Sequence, residues 1–558
     1  MDSNTLRKLI VEWIVDRRHA FNEIEAESFR QIIGYLDATA VRKLPKKGDT
    51  IRAETTKYFE EAKLIIAETL STSKSMIHLS FDIWTSPNYK HMIAITAHWT
   101  SVEYTIQTSL LAVREVQGKH TGENISETVF DVAKEYNFVD RLGYFMMDGA
   151  GNNNTAIVHL NERIQRAGGV GFDPVERRLR CFGHIQNRVV RKLLFGKKVR
   201  QLEAEEEEKD EDVGAAEVDN DEDMDIDDKV MVQAVHSGRT EDDTNECWRA
   251  IGAVGKAHNI VKFIRMTPQH RSTFLDHQLR ELQQQKAFMV RADNDTRWNS
   301  TWNMIESVLA QRQRIDGYCN LEPELAKDRL TARDWKDLEE IMELLEPFKY
   351  LTMLGQEKGS DLGAIGTVLP GMDMLLEILE KARGKPRPKD SAFQEAIDAS
   401  WALLTKYYKL TDKSPVHVAS VVLDPRMKYD YFERAWDKNW IRPAKRIMAS
   451  LYQKYKSEDV LMLNNVVPPQ EKDKKKFDIN AWRFGEMDEK EDELTRYSKA
   501  SVLKLSGAAA EGFDLLEWWR GNAKEYPTLA RIAVDIYSIP AMSVEPERVF
   551  SGYPPFKK

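Results

Sequence analysis

Cysteine is scarce in this 558-residue chain: Cys181, Cys247 and Cys319 are the full set, and they lie far apart in sequence. Such isolated cysteines argue against a disulfide framework and against a paired-cysteine zinc site, so a reducing compartment and no zinc are expected. Also missing is any uninterrupted apolar run approaching the roughly 20 residues that span a bilayer. With 42% apolar and 31% charged residues, a soluble chain with no membrane partner is expected. The N-terminal MDSNTLRKLIVEWIVDRR mixes acids and bases through an amphipathic helical pattern, not the charged-then-apolar layout of a secretory leader. A strong basic surplus is absent too, since the formal net charge is −9. That figure hides an asymmetry: residues 201–230 hold sixteen acids against Lys209 and Lys229, a local charge of −14 that leaves +5 elsewhere. A mildly basic body with one acidic tract is compatible with nucleic-acid binding without demonstrating it.

What is present is organised around Met76 to Trp84, MIHLSFDIW. Apolar and β-branched residues predict a buried strand, yet Asp82 sits among them and must be satisfied. Either it hydrogen-bonds the turn at Thr85 and Ser86, or it points from the strand's edge into a polar site. Before it, residues 1–40 read as two helices and a third runs from near Ile51 to about Leu70, a small bundle leading into the sheet. After it, HMIAITAHWT and EYTIQTSLLAVREV read as two more strands in a tight antiparallel meander. A helix over 122–135 follows, then the strand LGYFMMDGA, which again ends in an acid, Asp148. Gly149 to Asn154 read as a turn before the helix AIVHLNERIQRA. RRLRCFGHIQNRVVRKLL reads as a short strand turning into a helix, with Cys181 and His184 at its start. The order predicts a mixed sheet with helices on its faces.

Like-charge repulsion and lack of aromatics predict a disordered loop over the acidic run at 203–228, the alternative being an acidic segment that competes with DNA or binds a basic partner. From about Asn245 to Ala500 the apolar spacing is almost entirely helical. KARGKPRPKDS and EKDKKKFD read as solvated basic loops, with nuclear import as the functional alternative. In the closing stretch Pro540 breaks an apolar run, and a helix is expected near Ser543 with Glu547 on its first or second turn.

Asp82 and Asp148 at strand ends are the kind of pair Mg²⁺ or Mn²⁺ takes, because hard cations favour oxygen ligands and keep positions open for water and phosphate. Two such ions would clamp an in-line displacement at phosphorus. Periodicity alone does not choose a third ligand from ninety acids.

FDIWTS, MDGAGNNNTA, RCFGHIQNRVV, DTRWNSTW, VVLDPRMK and IPAMSVEPERVFS resemble, in this order, the motifs of the hAT superfamily of transposases, from about residue 10 to residue 551. The resemblance implies an α/β plus α fold: an RNase H-like mixed sheet interrupted by a large all-α insertion domain and closed by a C-terminal dimerisation region. It divides the chain into N-terminal helices at 1–72, a first part of the core at 73–198, the acidic loop at 199–242, the helical insertion at 243–505 and the dimerisation region at 506–558. It implies that Asp82, Asp148 and Glu547 are catalytic carboxylates holding Mg²⁺ or Mn²⁺. Cys181 and His184 match a CxxH motif that holds scissile DNA, the alternative being a core thiol and a capping histidine. Trp298 matches an aromatic that stacks on a flipped base, the alternative being packing, and Arg297 beside it would contact phosphate. The implied partners are transposon-end DNA and a second copy of the chain, in the nucleus.

Two departures shape the expectation. No Cys and His set here could form the BED zinc finger usual in the family, and SGYPPFKK does not resemble the helical stretch that follows VFSG, so a C-terminal truncation is expected. The sequence therefore points to a transposase or transposase-derived protein cutting and joining DNA ends. The alternative is a catalytically inactive, domesticated DNA- or protein-binding nuclear factor on the same scaffold.

Overall fold

The computed structural model describes residues 2–85, 90–118, 121–195, 245–246, 248–283, 285–293, 298–355, 364–388, 391–466, 491–506 and 512–546, without the side chains of 281 and 458–466. The acidic run, the EKDKKKFD loop, Cys247, Arg297 and Glu547 lie outside these residues. The chain divides into two compact units, one of residues 1–73 with 132–139 and one of 74–131 with 140–558.

The first unit is helical: α1 (Ser3–Arg17), α2 (Glu27–Leu36), α3 (Ala38–Lys43) and α4 (Gly48–Ser71). Asp2 and Asp37 cap α1 and α3 by accepting the backbone N–H of Thr5 and Thr39. Ile10, Val11, Ile14, Ile24, Leu44 and Ile51 form its core. Helix α4 starts three residues before the expected Ile51, because Glu25 accepts the Gly48 N–H at 2.8 Å. Gly48 is required there: a Cβ would lie 2.7 Å from the backbone of Phe21.

In the second unit, β1 (Ile77–Thr85), β2 (His91–Thr100), β3 (Ile106–Glu115), β4 (Leu142–Met147) and β5 (Arg178–Arg180) form one sheet in the order β3-β2-β1-β4-β5. The first three pair antiparallel, and β1–β4 and β4–β5 pair parallel. Central position explains the sequence: Ile77 to Phe81 and all of β4 are buried, while in edge strand β3 Leu111 is the one buried residue. Helices α5 (Gly122–Glu135), α6 (Gly151–Arg166), α7 (Pro174–Arg177) and α8 (Phe182–Phe195) punctuate the strands.

The helical block follows with α9 (Ala253–Met266), α10 (Pro268–Asp276), α11 (Trp298–Leu309), α12 (Arg312–Leu321), α13 (Ala332–Leu354), α14 (Val368–Arg383), α15 (Ala392–Leu410), α16 (Val416–Val422), α17 (Lys428–Ala435) and α18 (Lys438–Val466). The tail contributes α19 (Glu493–Lys499), α20 (Leu515–Asn522) and α21 (Pro527–Tyr537). One apolar core runs from Met146 and Leu179 of the sheet through the helical block to Ile532 and Ile536 of α21. Burying each such side chain contributes roughly 1.5–3 kcal/mol.

The tail is stitched into the sheet by polar contacts as well. Met76 N–H donates to Asp535 at 2.6 Å, and the Thr100 hydroxyl donates to the Val534 carbonyl at 3.1 Å. Glu493 caps α21 from a distance, accepting the N–H groups of Thr528 and Leu529. The result is the mixed five-stranded RNase H-like sheet with helices, a large helical domain after it and N-terminal helices. Among the described residues no helix is long and apolar enough to cross a membrane.

Candidate active site

The parallel register of β1 and β4 brings two acids to one edge. Ser80 pairs with Met146, and Asp82 and Asp148 each lie two residues further on. Strand β1 itself continues to Thr85 alongside β2, so Asp82 starts no turn: it sits just past the end of the parallel ladder while still paired antiparallel with Ala94. It is partly buried, and its Oδ1 accepts the Ile83 N–H at 2.9 Å.

Asp148 is held on three sides. Its Oδ1 accepts the Ala150 N–H at 3.1 Å and a short hydrogen bond from Asn153 Nδ2, and its main-chain oxygen accepts from Arg178 at 3.2 Å. These contacts explain why α6 begins at Gly151, inside the stretch read as a turn: the Asn153 amide ties the first helical turn back to Asp148.

Cys181 and His184 approach from β5 and α8. The Cys181 N–H donates to the Met147 carbonyl at 2.8 Å, continuing the parallel ladder to the residue before Asp148. The Cys181 side chain is buried and that of His184 half-buried, and the two are coupled. Burial, the largest single influence, opposes charging His184, but Cys181, then Asp148 and Asp82, outweigh it and hold the imidazole well above its usual range. Burial also works against ionising the Cys181 thiol, but His184 and Ser543 outweigh it and lower its pKa. The β1–β4 register and the Cys181–Met147 hydrogen bond bring Asp82, Asp148 and Cys181 to the same end of the sheet.

The tail reaches the same place. Ser543 N–H donates to Cys181 Sγ at 3.3 Å, and Phe182 N–H donates to the Ala541 carbonyl at 3.1 Å. Ser543 is fully buried and residues 544–546 are helical. Glu547, four residues beyond Ser543, lies outside the described residues, as does Arg297. Trp298 opens α11 and is 4% exposed, packed in the core with Trp302, whose ring carries the Lys349 amine 4.5 Å from its centroid. Base stacking by Trp298 requires an exposed face, which this conformation does not offer.

Asn153 and Arg178, which hold Asp148, were not singled out from the sequence. The run Asn152 to Asn154 directly after Asp148 was the readable signal for the first, since Asn beside a helix start commonly bonds backward. Two carboxylates with oxygen donors at one sheet edge suit a hard divalent cation. Among the described residues no group of three His, Cys, Asp or Glu side chains that could hold a metal comes together.

Comparison with known proteins gives three matches in chain order. The ZBED1 RNase-like domain matches residues 80–170, which contain both aspartates, and the ZBED1 RNase-like helical domain matches 179–344. The hAT family C-terminal dimerisation region matches 493–555. The chain is 23% identical over 97% of its length to the "Putative transcriptional regulator tpeD" of Talaromyces stipitatus, covering 58% of that protein. It is 23% identical over 89% of its length to the "Putative AC transposase" of Zea mays, covering 55% of it. The "Zinc finger BED domain-containing protein RICESLEEPER 3" of Oryza sativa subsp. japonica is 20% identical over 89% of the chain and is 59% covered. The chain thus spans a little over half the length of these relatives. With the sheet, the helical domain and the tail each matched in order, the chain belongs to the hAT family, as an RNase-like domain followed by a C-terminal dimerisation region.

Proposed function

We propose that this chain is the catalytic body of a hAT-type transposase, or a protein derived from one, that cuts and joins DNA ends by divalent-metal-dependent phosphoryl transfer. The observation that carries this reading is the register of β1 and β4, which sets Asp82 and Asp148 at one edge beside His184. Asp82, Asp148 and Glu547 would hold Mg²⁺ or Mn²⁺, which when bound activates the attacking oxygen and stabilises the departing one. Asn153 and Arg178 fix the Asp148 carboxylate and backbone, so its lone pairs are oriented before substrate arrives. His184, as an imidazolium, supplies positive charge beside the acids and would draw a phosphate toward them. Cys181 holds that imidazolium and, through Ser543, ties it to the segment leading to Glu547. Arg297 would contact phosphate, and Trp298 would stack on a base after α11 moves. The dimerisation region supports self-association, and the family supports action in the nucleus.

A second reading has its own support. The relative named as a transcriptional regulator aligns with 97% of this chain, which favours a DNA- or protein-binding nuclear factor without catalysis. A fluorescent duplex with nicked or flanked ends, incubated with the protein and Mn²⁺, separates the two. The enzyme reading expects cleavage that Asp82→Asn lowers by at least about 10³-fold, the scale of losing a metal-held nucleophile. Retention of DNA without cleavage, indifferent to that change, establishes the binding factor instead.

A further inference from the structure

Beyond the carboxylates and the Cys181–His184 pair, α8 presents one more charged group to the same edge. Arg188 follows His184 by four residues, so it lies on the same face of the helix one turn along. Its guanidinium reaches the β4–α6 junction: a Cβ built on Gly149 would lie 3.7 Å from Arg188 Nη1. Gly149 is the residue immediately after Asp148. The same nitrogen, Arg188 Nη1, donates to the Tyr407 hydroxyl at 2.6 Å, and the guanidinium carbon lies 5.8 Å from the Tyr407 ring centroid. Tyr407 belongs to α15 of the helical block and is 6% exposed, so the anchor is rigid. Arg188 itself is half-buried.

A planar fork of five donors, fixed at one corner by a buried phenol and lying against the loop that carries a catalytic carboxylate, has the geometry of a phosphate clamp. Its placement also follows electrostatics. A DNA phosphate approaching Asp82 and Asp148 meets two negative groups, and a delocalised cation on the adjoining helix turn offsets that repulsion at the point of contact. Lysine would not replace it fully, because an ammonium carries the charge without the fork. We propose that Arg188 binds a substrate phosphate at the Asp82–Asp148 edge and that Tyr407 is the residue that positions it. The proposal rests on reading this edge as one that takes DNA. It gives the helical block a second task besides packing: α15 sets the direction of a substrate-binding side chain on α8.

The competing account is that Arg188 merely ties α8 to α15. Binding of the fluorescent flanked duplex, measured across salt concentration in Ca²⁺ so that DNA stays intact, tells them apart alongside Mn²⁺-dependent cleavage and thermal melting. A phosphate contact makes the slope of log affinity against log salt shallower by about 0.9 in Arg188→Gln. Arg188→Lys should restore that slope yet cleave at least about tenfold more slowly than wild type. Tyr407→Phe should keep the slope and lower cleavage several-fold, with affinity near wild type. An unchanged slope in Arg188→Gln overturns the proposal, and an accompanying drop in melting temperature then assigns Arg188 to the α8–α15 tie. If wild type binds without cutting, the catalytic reading fails while the slope still decides Arg188. If wild type cuts and Arg188→Gln matches it in rate and slope, the catalytic reading stands and Arg188 is excluded. If wild type does not bind the duplex, both are overturned.

Discussion

At the two ends of strand β1, carboxylates sit in opposite circumstances. Near its start, Asp535 is 4% exposed, and its oxygens accept the Met76 N–H at 2.6 Å and the Tyr455 hydroxyl at 2.8 Å. Past its parallel ladder, Asp82 is partly exposed and shares its sheet edge with Asp148, while the acids there and Cys181 raise the pKa of His184. Histidines follow the same division. His78, near the start, is fully buried and accepts the Tyr144 N–H on Nδ1 at 3.0 Å, and burial first and His98 second push its pKa down to about 3. His184, at the far end, is driven the other way by acids and a thiol. Buried polarity with neutral or fully engaged partners secures the tail against the sheet. Polarity gathered with unlike charges at a strand edge is where a charged substrate can be recognised.

The comparison breaks if the two aspartates respond alike to mutation. Asp82→Asn should leave the urea midpoint equivalent to within about 0.5 kcal/mol of wild type while removing cleavage by at least 10³-fold, or about 4 kcal/mol in barrier. Asp535→Ala strands the Met76 N–H and the Tyr455 hydroxyl in the interior, and should cost about 3 kcal/mol of stability in a urea titration. A destabilisation by Asp82→Asn as large as that of Asp535→Ala would erase the distinction between the two ends.

Much of this division was legible in the sequence, for a definite reason. The strand carrying Asp82, the strand ending before Asp148 and the short strand turning into a helix at Cys181 all have local signatures, and the helix over 122–135 appears at those bounds. The mixed sheet followed from them, whereas the family came from the resemblance of six motifs taken in order. The Asn run after Asp148 was read as a turn because Asn favours turns, whereas its amide contact with Asp148 draws it into α6. The contacts that complete both ends are the ones no local pattern records. Ser543 meets Cys181 across 362 residues, and Met76 meets Asp535 across 459. Asp535 lies in an apolar helical stretch where nothing marks it from other acids. The packing of Trp298 also depends on helices distant in sequence, so DTRWNSTW alone left packing and base stacking both open.

A pH titration sharpens the comparison at the buried end. The unfolded chain protonates His78 below its ordinary value of 6.5, while the folded chain refuses the proton until about 3. Stability from this group is therefore complete above pH 6.5 and drains as pH falls from there toward 3, at up to about 1.4 kcal/mol per unit. Between pH 7 and pH 5 it should account for about 2 kcal/mol of lost stability. His78→Asn keeps an acceptor for the Tyr144 N–H without a titrating group, so urea midpoints at the two pH values should show its loss smaller by that amount. An identical pH dependence in the variant would mean that His78 takes its proton in the folded state, and that the start of β1 is as open to charge as its far end.

The smallest expected effect lies at the other end, where Asn153→Ala removes one donor from Asp148 and leaves the Ala150 N–H and Arg178 in place. Two remaining contacts keep the backbone of the junction, so stability should change by no more than about 1 kcal/mol. The carboxylate, however, gains a rotamer, and the cleavage rate should fall about tenfold while the Mn²⁺ concentration for half-maximal rate rises. A full loss of stability with no change in metal dependence would show that Asn153 serves the start of α6 and not Asp148.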